Sequence, residues 1–397
     1  MNILQIGTTD KRGGASAVAW SLKEYVDKNG GKSTMFVADK LSKSDDVFVI
    51  KRNKIRRYLS FLFSTEDLYK TDWILKTKEF KEADVVHCHN LHGRFFNLAT
   101  LQKMSLIKPV VWTLHDEWAI TPHCAYTFEG SSITEGFFDC PNKEMSPRLL
   151  WHNEKVIKSK KKKIYDNSKL NIVVPSLWLK KRLEQSILSK HNIKLIYNGI
   201  DTNKFKKINK QEARKKLKLP KDKKIVLFLA DGGINNPWKG WNYTMKVVKE
   251  FEEKENVIFL CVGNNENMEK ENTKKIMYVG IVDNNILNEY YSACDVILIT
   301  SLADNFPLIV LEAMSCGLPV VSFDTGGIKE AVIHQENGYI AGYKNIKEII
   351  EGLNLFLEKD SNEIEQISYK NINRISQEFS LSKMLESYAD LYQEIKK

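Results

Sequence analysis

Two carboxylates eight positions apart, Asp304 and Glu312, stand in the chemically richest stretch of this 397-residue chain, DNFPLIVLEAMSCGLPVVSFDTGGIKE at 304–330. A carboxylate can accept from two neighbouring hydroxyls at once, which suits a vicinal diol. Gly326-Gly327 follows, and two residues without side chains let backbone N–H groups approach an anion. Diols and a diphosphate in one ligand describe a nucleotide-activated sugar.

The surrounding pattern predicts how these groups are held. Residues 295–300 form a short, β-branched apolar run, which predicts a buried parallel strand ending at polar Ser301–Asn305. Pro307 suits the first turn of a helix, Leu308, Leu311, Glu312 and Ser315 fall on adjacent helical positions, and Gly317 with Pro319 closes it. A further strand, 319–323, leads into the Gly-Gly turn. In an open α/β sheet, ligands bind outside the carboxyl ends of the strands, where Asp304 and Gly326 both fall.

This ordered set resembles the nucleotide-sugar signature of retaining glycosyltransferases of the glycogen-synthase-like family four. Their fold is GT-B: α/β, with two Rossmann-like doubly wound domains facing across a cleft. The family signature reads Glu-x7-Glu, and here Asp304 takes the first place. The resemblance implies that Glu312 bonds the ribose hydroxyls. It also implies that Asp304, with Asn305, Phe306, Pro307 and Leu308, holds the donor sugar, and that Gly326, Gly327 and Gly14 face its phosphates. Lys239, in INNPWKGW, resembles the lysine that neutralises the donor diphosphate, where charge develops on departure. An arginine usual in the family has no counterpart in Leu229–Gly233. His115, in VVWTLHDEW, follows the run 109–113 and is implied to contact the donor sugar or the acceptor near the reacting carbon.

His115, Lys239 and Asp304 are therefore the expected catalytic set. Asp116 either orients His115 or solvates its loop. His87 and His89, in VVHCHN, lie at another strand end. Their spacing could serve a metal, but a third ligand is lacking, so with Asp116 they are acceptor-side candidates. Asn198-Gly-Ile-Asp201 resembles the family's turn opening the second domain and reads as a structural hinge. The implied activity is metal-independent and cofactor-free: a sugar passes from a nucleotide-diphosphate donor, UDP by prevalence, to a glycan or lipid-linked acceptor in polysaccharide biosynthesis. In the implied front-face chemistry the leaving phosphate helps deprotonate the acceptor. Rival readings are a non-catalytic GT-B partner subunit and a nucleotide-sugar 2-epimerase.

Two strand-helix series are expected, with strands at 2–6, 33–37, 84–88, 109–113 and 171–174, then at 224–229, 256–262, 276–279, 295–300 and 319–323. They predict an acceptor-binding domain over 1–195 and a nucleotide-sugar-binding domain over 196–379, with a last helix at 380–397 packing back on the first. Hydrophobic content of 43% and charged content of 28% fit a globular protein. No apolar run is long enough to span a bilayer, and the chain opens on a strand rather than a signal peptide. Six scattered cysteines suit reduced thiols in the cytoplasm. His123, Cys124 and Cys140 bracket a loop with too few ligands for a closed zinc site; some relatives carry more cysteines there, suggesting a metal or disulfide staple.

The net charge of +10 lies almost entirely in the first half: residues 1–175 carry 28 Lys+Arg against 20 Asp+Glu, and the rest 32 against 30. Nothing resembles a nucleic-acid-binding module. Residues 51–63, KRNKIRRYLSFLF, place an apolar stripe beside five basic residues, which suits peripheral docking on an anionic membrane, the inner face of the plasma membrane included. A surface helix covering the core is the alternative. The lysine run at 158–163 reads as a solvated helix face.

Overall fold

The computed structural model describes residues 1–65, 68–230, 235–263 and 274–396. The chain divides into two compact units, Met1–Tyr197 joined by the chain from Met384 onward, and Asn198–Lys383.

In the first unit the strands are β1 (Asn2–Thr9), β2 (Lys32–Asp39), β3 (Val47–Val49), β4 (Val85–Cys88), β5 (Val110–Thr113), a small hairpin of β6 (Ile133–Thr134) and β7 (Phe137–Phe138), β8 (Leu170–Val174) and β9 (Asn192–Leu195). Seven of them form one sheet in the order β3-β2-β1-β4-β5-β8-β9, every pairing parallel. The run β1 to β4 steps across the middle of the sheet, so the carboxyl ends of β1, β4 and β5 lie side by side. A parallel sheet is covered on both faces, and Leu4, Ile6, Val86, Val110, Trp112, Ile172 and Val174 are accordingly buried in one core.

The second unit repeats the plan with β10 (Lys224–Ala230), β11 (Val257–Gly263), β12 (Ile276–Gly280), β13 (Val296–Ile299), β14 (Val320–Phe323) and β15 (Gly338–Ala341). Their order is β12-β11-β10-β13-β14-β15, again all parallel. The order reverses between β10 and β13, which makes the ends of these two strands the topological switch point. Val226, Phe228, Phe259, Val296, Leu298, Val321 and Phe323 form the core.

The expected strands all form, with ends shifted by at most three residues. Five were not expected, two of them the two-residue hairpin strands β6 and β7. β3 has three residues, the sequence NIKL of β9 carries little apolar signal, and β15 begins on a glycine. After β8 a helix runs Leu177–Glu184, and the Ser176 hydroxyl caps it by accepting from the Leu179 N–H at 3.1 Å.

Candidate active site

In the second unit one loop, Ser301–Asn305, is gripped from two sides. On one side Gly240 adopts φ +65° at the start of the helix Trp241–Glu250, and a Cβ there would collide with the Thr300 carbonyl oxygen. Only glycine permits this approach. Leu302 N–H donates to Trp238 O at 2.7 Å, and the Thr244 and Thr300 hydroxyls bond at 2.7 Å. These contacts bring Lys239 to the end of β13, where its Nζ lies 2.9 Å from Asp304 Oδ2.

On the other side Gly326, at φ +57°, packs so closely that a Cβ would strike the Asp304 and Asn305 carbonyl oxygens. The Gly327 N–H donates to Asn305 O at 2.7 Å, and Thr325 Oγ1 donates to Ser301 O at 2.9 Å. This corrects the role expected of Gly327: its amide is engaged by the protein itself, and the pair buttresses the loop. Asn305 and Phe306 are buried, Asn305 N–H donates to Asp304 Oδ1 at 3.0 Å, and Pro307 is also inside while Leu308 is half-buried. A bound ligand would therefore meet this segment through Asp304 and the backbone.

Pro307 precedes the helix Leu308–Ser315, and Gly317 at φ +79° follows it. Glu312 sits on that helix and accepts from the Tyr291 hydroxyl at Oε2, 2.7 Å away. Burial raises its carboxyl above the ordinary range, while the Tyr291 bond and the Lys204 charge pull the other way. Asn198 reaches the same segment, donating from Nδ2 to Phe306 O at 3.1 Å, and Phe306 packs on Phe379. Gly199 lies against the Ser380 backbone too tightly for a Cβ. The segment Asp231–Gly233, part of the stretch in which the family arginine has no counterpart, lies outside the described residues.

In the first unit, Gly13 at φ +87° turns β1 into the helix Gly14–Lys28, and no atom lies within 4 Å of where its Cβ would be. The histidines gather at the ends of β4 and β5. His87 has no exposed surface; Nδ1 bonds the Tyr392 hydroxyl at 2.6 Å and Nε2 bonds Thr113 Oγ1 at 2.7 Å. His89 is equally enclosed, with Nδ1 at 3.0 Å from His115 Nε2 and Nε2 at 2.9 Å from Gln5 Oε1. Both ring nitrogens of each are occupied, so the acceptor-side expectation for His87 and His89 gives way to a supporting role. His115 keeps part of its surface open. Burial holds its imidazole down at about 4 despite the Asp116 charge, and holds His87 at about 3 and His89 well below the usual range.

Asp116 does not bond His115. It accepts from the Trp118 N–H at 3.0 Å and bonds His92 Nε2 at 2.8 Å, so it orients His92, which carried no sequence signal. Glu117 beside it is fully buried against Arg182 and accepts twice from Thr127. Two other expectations change. Lys161 is buried, donating to Trp118 O and Thr121 O with its ammonium 3.8 Å from the Trp118 ring centre, so the lysine run is not a uniformly solvated face. Cys124 and Cys140 form a disulfide, with Cα atoms 5.9 Å apart, because the β6–β7 hairpin folds the loop back on itself. Reduced thiols hold for Cys88, Cys261, Cys294 and Cys316, all buried. Among the described residues no cluster of three or more His, Cys, Asp or Glu is placed to hold a metal ion, and no helix is long and apolar enough to cross a membrane.

Two sequence families meet in this chain: Glycosyltransferase Family 4 over residues 12–204 and Glycosyl transferases group 1 over residues 209–374. The chain belongs to the GT-B glycosyltransferases. An uncharacterized 41.2 kDa protein in the cps region of Klebsiella pneumoniae is 23% identical over 99% of both chains. WcaC of Escherichia coli K12, provisionally named a colanic acid biosynthesis glycosyl transferase, is 24% identical over the full length of both. The fold is shared with the Anabaena protein Alr3699/HepE solved in complex with UDP, at a TM-score of 0.70, 19% identity, and coverage of 99% of this chain and 100% of that one.

For a GT-B glycosyltransferase the fixed spacing of Asp304, Glu312 and Gly326 was the readable part of the site. Tyr291 and Gln5 were not readable, because their partners lie 21 to 84 positions away in sequence and only the sheet order brings them together.

Proposed function

We propose that this glycosyltransferase is retaining and metal-independent. It moves a sugar from a nucleoside diphosphate, UDP foremost, to a hydroxyl of a glycan or lipid-linked acceptor in polysaccharide assembly. The second unit takes the donor and the first the acceptor. One observation carries the donor half: Lys239 is held 2.9 Å from Asp304, on a loop that leads directly into the helix bearing Glu312. A cation, a diol-binding carboxylate and a ribose-binding carboxylate thus share one strand-end frame. Lys239 supplies the positive charge that a departing diphosphate requires, with no metal called on to do so. Asp304 and Glu312 position the sugar and ribose, so that catalysis rests on placement and charge. The cps and colanic acid names of the two bacterial relatives support a polysaccharide product, and the UDP of the Anabaena protein supports the choice of base. The exposed apolar and basic residues of the segment 51–63 support peripheral docking on the inner face of the plasma membrane.

The test is calorimetry of UDP-, GDP-, ADP- and dTDP-sugars against wild type and Glu312→Ala. Binding of one nucleotide class, weakened at least about tenfold by the variant, is expected from loss of charge-assisted hydrogen bonds. A folded protein that binds none of them would overturn the donor site and favour a partner subunit without catalysis. Incubation of the binding donor with a lipid-linked acceptor and assignment of the product anomer then decides retention.

A further inference from the structure

Along the buried ends of β1, β4 and β5 a single file of polar side chains runs from Ser33 to His115. Gln5 donates from Nε2 to Ser33 Oγ at 3.0 Å, and its Oε1 lies 2.9 Å from His89 Nε2. A carbonyl oxygen can only accept, so His89 carries its proton on Nε2. A neutral imidazole has one N–H, which leaves His89 Nδ1 as a bare lone pair. His115 Nε2, 3.0 Å away, must donate to it. The His115 proton therefore sits on Nε2, and Nδ1 holds the lone pair.

The file is well anchored. Gln5 is fully buried, and the His89 carbonyl accepts from Trp112 Nε1 at 2.9 Å. The His89 and His115 rings lie edge to edge and nearly coplanar, with centres 5.3 Å apart and planes 20° apart, as a hydrogen bond between ring nitrogens requires, and the His87 ring centre lies 4.2 Å from that of His89. Burial keeps these imidazoles neutral near pH 7, so the one-proton argument applies to both.

We infer that Gln5 and His89 are positioning residues that fix His115 as a hydrogen-bond acceptor at Nδ1, so that it selects a hydroxyl of the sugar or acceptor and rejects a group that can only accept. This rests on the reading that His115 touches substrate. A wrong tautomer presents an N–H where the substrate offers another, and a correctly placed imidazole then loses its function.

The proton positions can be read on wild-type protein by long-range 1H–15N correlation of labelled histidines at pH 7. The expected result is Nε2–H and unprotonated Nδ1 for both His89 and His115. An Nδ1–H signal at His115 would overturn the inference. Gln5→Leu removes the carbonyl, so the His115 signals should move toward a tautomer mixture and kcat/KM should fall by about tenfold or more, a displacement-sized effect. Binding of UDP without its sugar should not change. Retention of wild-type tautomers in Gln5→Leu would also refute the relay. His115→Ala separates the two claims: if transfer survives it, the substrate contact is wrong whatever the tautomer, and if transfer is lost while Nδ1 is protonated, only the relay is wrong.

Discussion

Lys239 Nζ and Asp304 Oδ2, 65 residues apart in sequence, form a 2.9 Å ion pair beside the end of β13. The lysine expected to neutralise a diphosphate is thus bound to the carboxylate expected to hold the sugar. A diphosphate bound by Lys239 would compete with Asp304 for the ammonium.

That competition separates two variants. Lys239→Ala removes the cation and should weaken UDP binding by about tenfold to a hundredfold, the size of losing a hydrogen bond to a charged group. Asp304→Asn removes the competing charge, so UDP alone should bind as well as or better than to wild type. Sugar transfer by Asp304→Asn should nonetheless fall, because the amide accepts from fewer hydroxyls. Calorimetry with UDP, run beside a transfer assay, reads both. Weaker UDP binding by Asp304→Asn would mean that the pair does not compete with donor.

Glu312 has one identified donor, the Tyr291 hydroxyl at 2.7 Å, in a setting whose burial disfavours charge. Tyr291→Phe should raise the Glu312 carboxyl further and weaken nucleotide binding by about 1.5–3 kcal/mol, the range for hydrogen bonds to charged groups. A raised carboxyl is protonated over a wider acid range. Donor affinity should therefore fall as pH drops through that raised value, and the fall should begin at higher pH in the variant. Titration of donor affinity against pH in both proteins checks the order; coincident curves would remove Tyr291 from the account.

Much of the segment from β13 to Gly327 could be read from sequence because its signal is local: a strand, a polar stop, Pro307, a helix and a Gly-Gly turn follow one another in order. The purpose of Gly326 could not. Its value lies in packing against the carbonyls of Asp304 and Asn305, a contact that exists only once β13 and β14 pair. The histidines show the same limit. His87 and His89 looked like candidates for ligand contact because they end a strand, yet their bonds go to Thr113, Gln5, His115 and Tyr392, as far as 305 positions away. The Cys124–Cys140 bond depends on a two-residue-per-strand hairpin too short to carry a periodic signal.

The buried histidines set an acid limit on stability. In the unfolded chain each titrates near 6.5, whereas folding holds His115 at about 4 and His87 at about 3, with His89 also well depressed. The unfolded state therefore binds more protons between those values, and stability falls as pH drops. The contribution is fully present above about 6.5 and is lost progressively toward 4 and below, at about 1.4 kcal/mol per pH unit for each fully engaged group. Urea unfolding from pH 7 to 4.5 should show this slope, and His87→Phe should reduce it by about one proton. An unchanged slope in that variant would show that His87 is not held neutral by the fold.

The helix Lys54–Leu62 turns an apolar edge to solvent. Ile55 is 69% exposed, Tyr58 65%, and Phe63 just beyond it 57%, with Lys54, Arg56 and Arg57 among them. Asn53 caps the helix by accepting from the Ile55 and Arg56 N–H groups. Phe61 is drawn inward instead, against the guanidinium groups of Arg94 and Arg148. Trp151, 61% exposed, joins the same edge, because its N–H donates to Ser64 Oγ at 3.0 Å. A helix that merely covered a core would bury Ile55 and Tyr58, so this face favours docking on a lipid surface. Vesicles rich in phosphatidylglycerol should sediment the protein, and neutral vesicles should do so far less. Each basic residue near an anionic surface is worth about 1 kcal/mol, so Arg56→Glu with Arg57→Glu should weaken sedimentation by at least about tenfold. Ile55→Ser with Tyr58→Ser should weaken it on neutral and anionic vesicles alike, since those residues act by apolar burial. Equal sedimentation of wild type and both double variants would show that this face meets something other than a membrane.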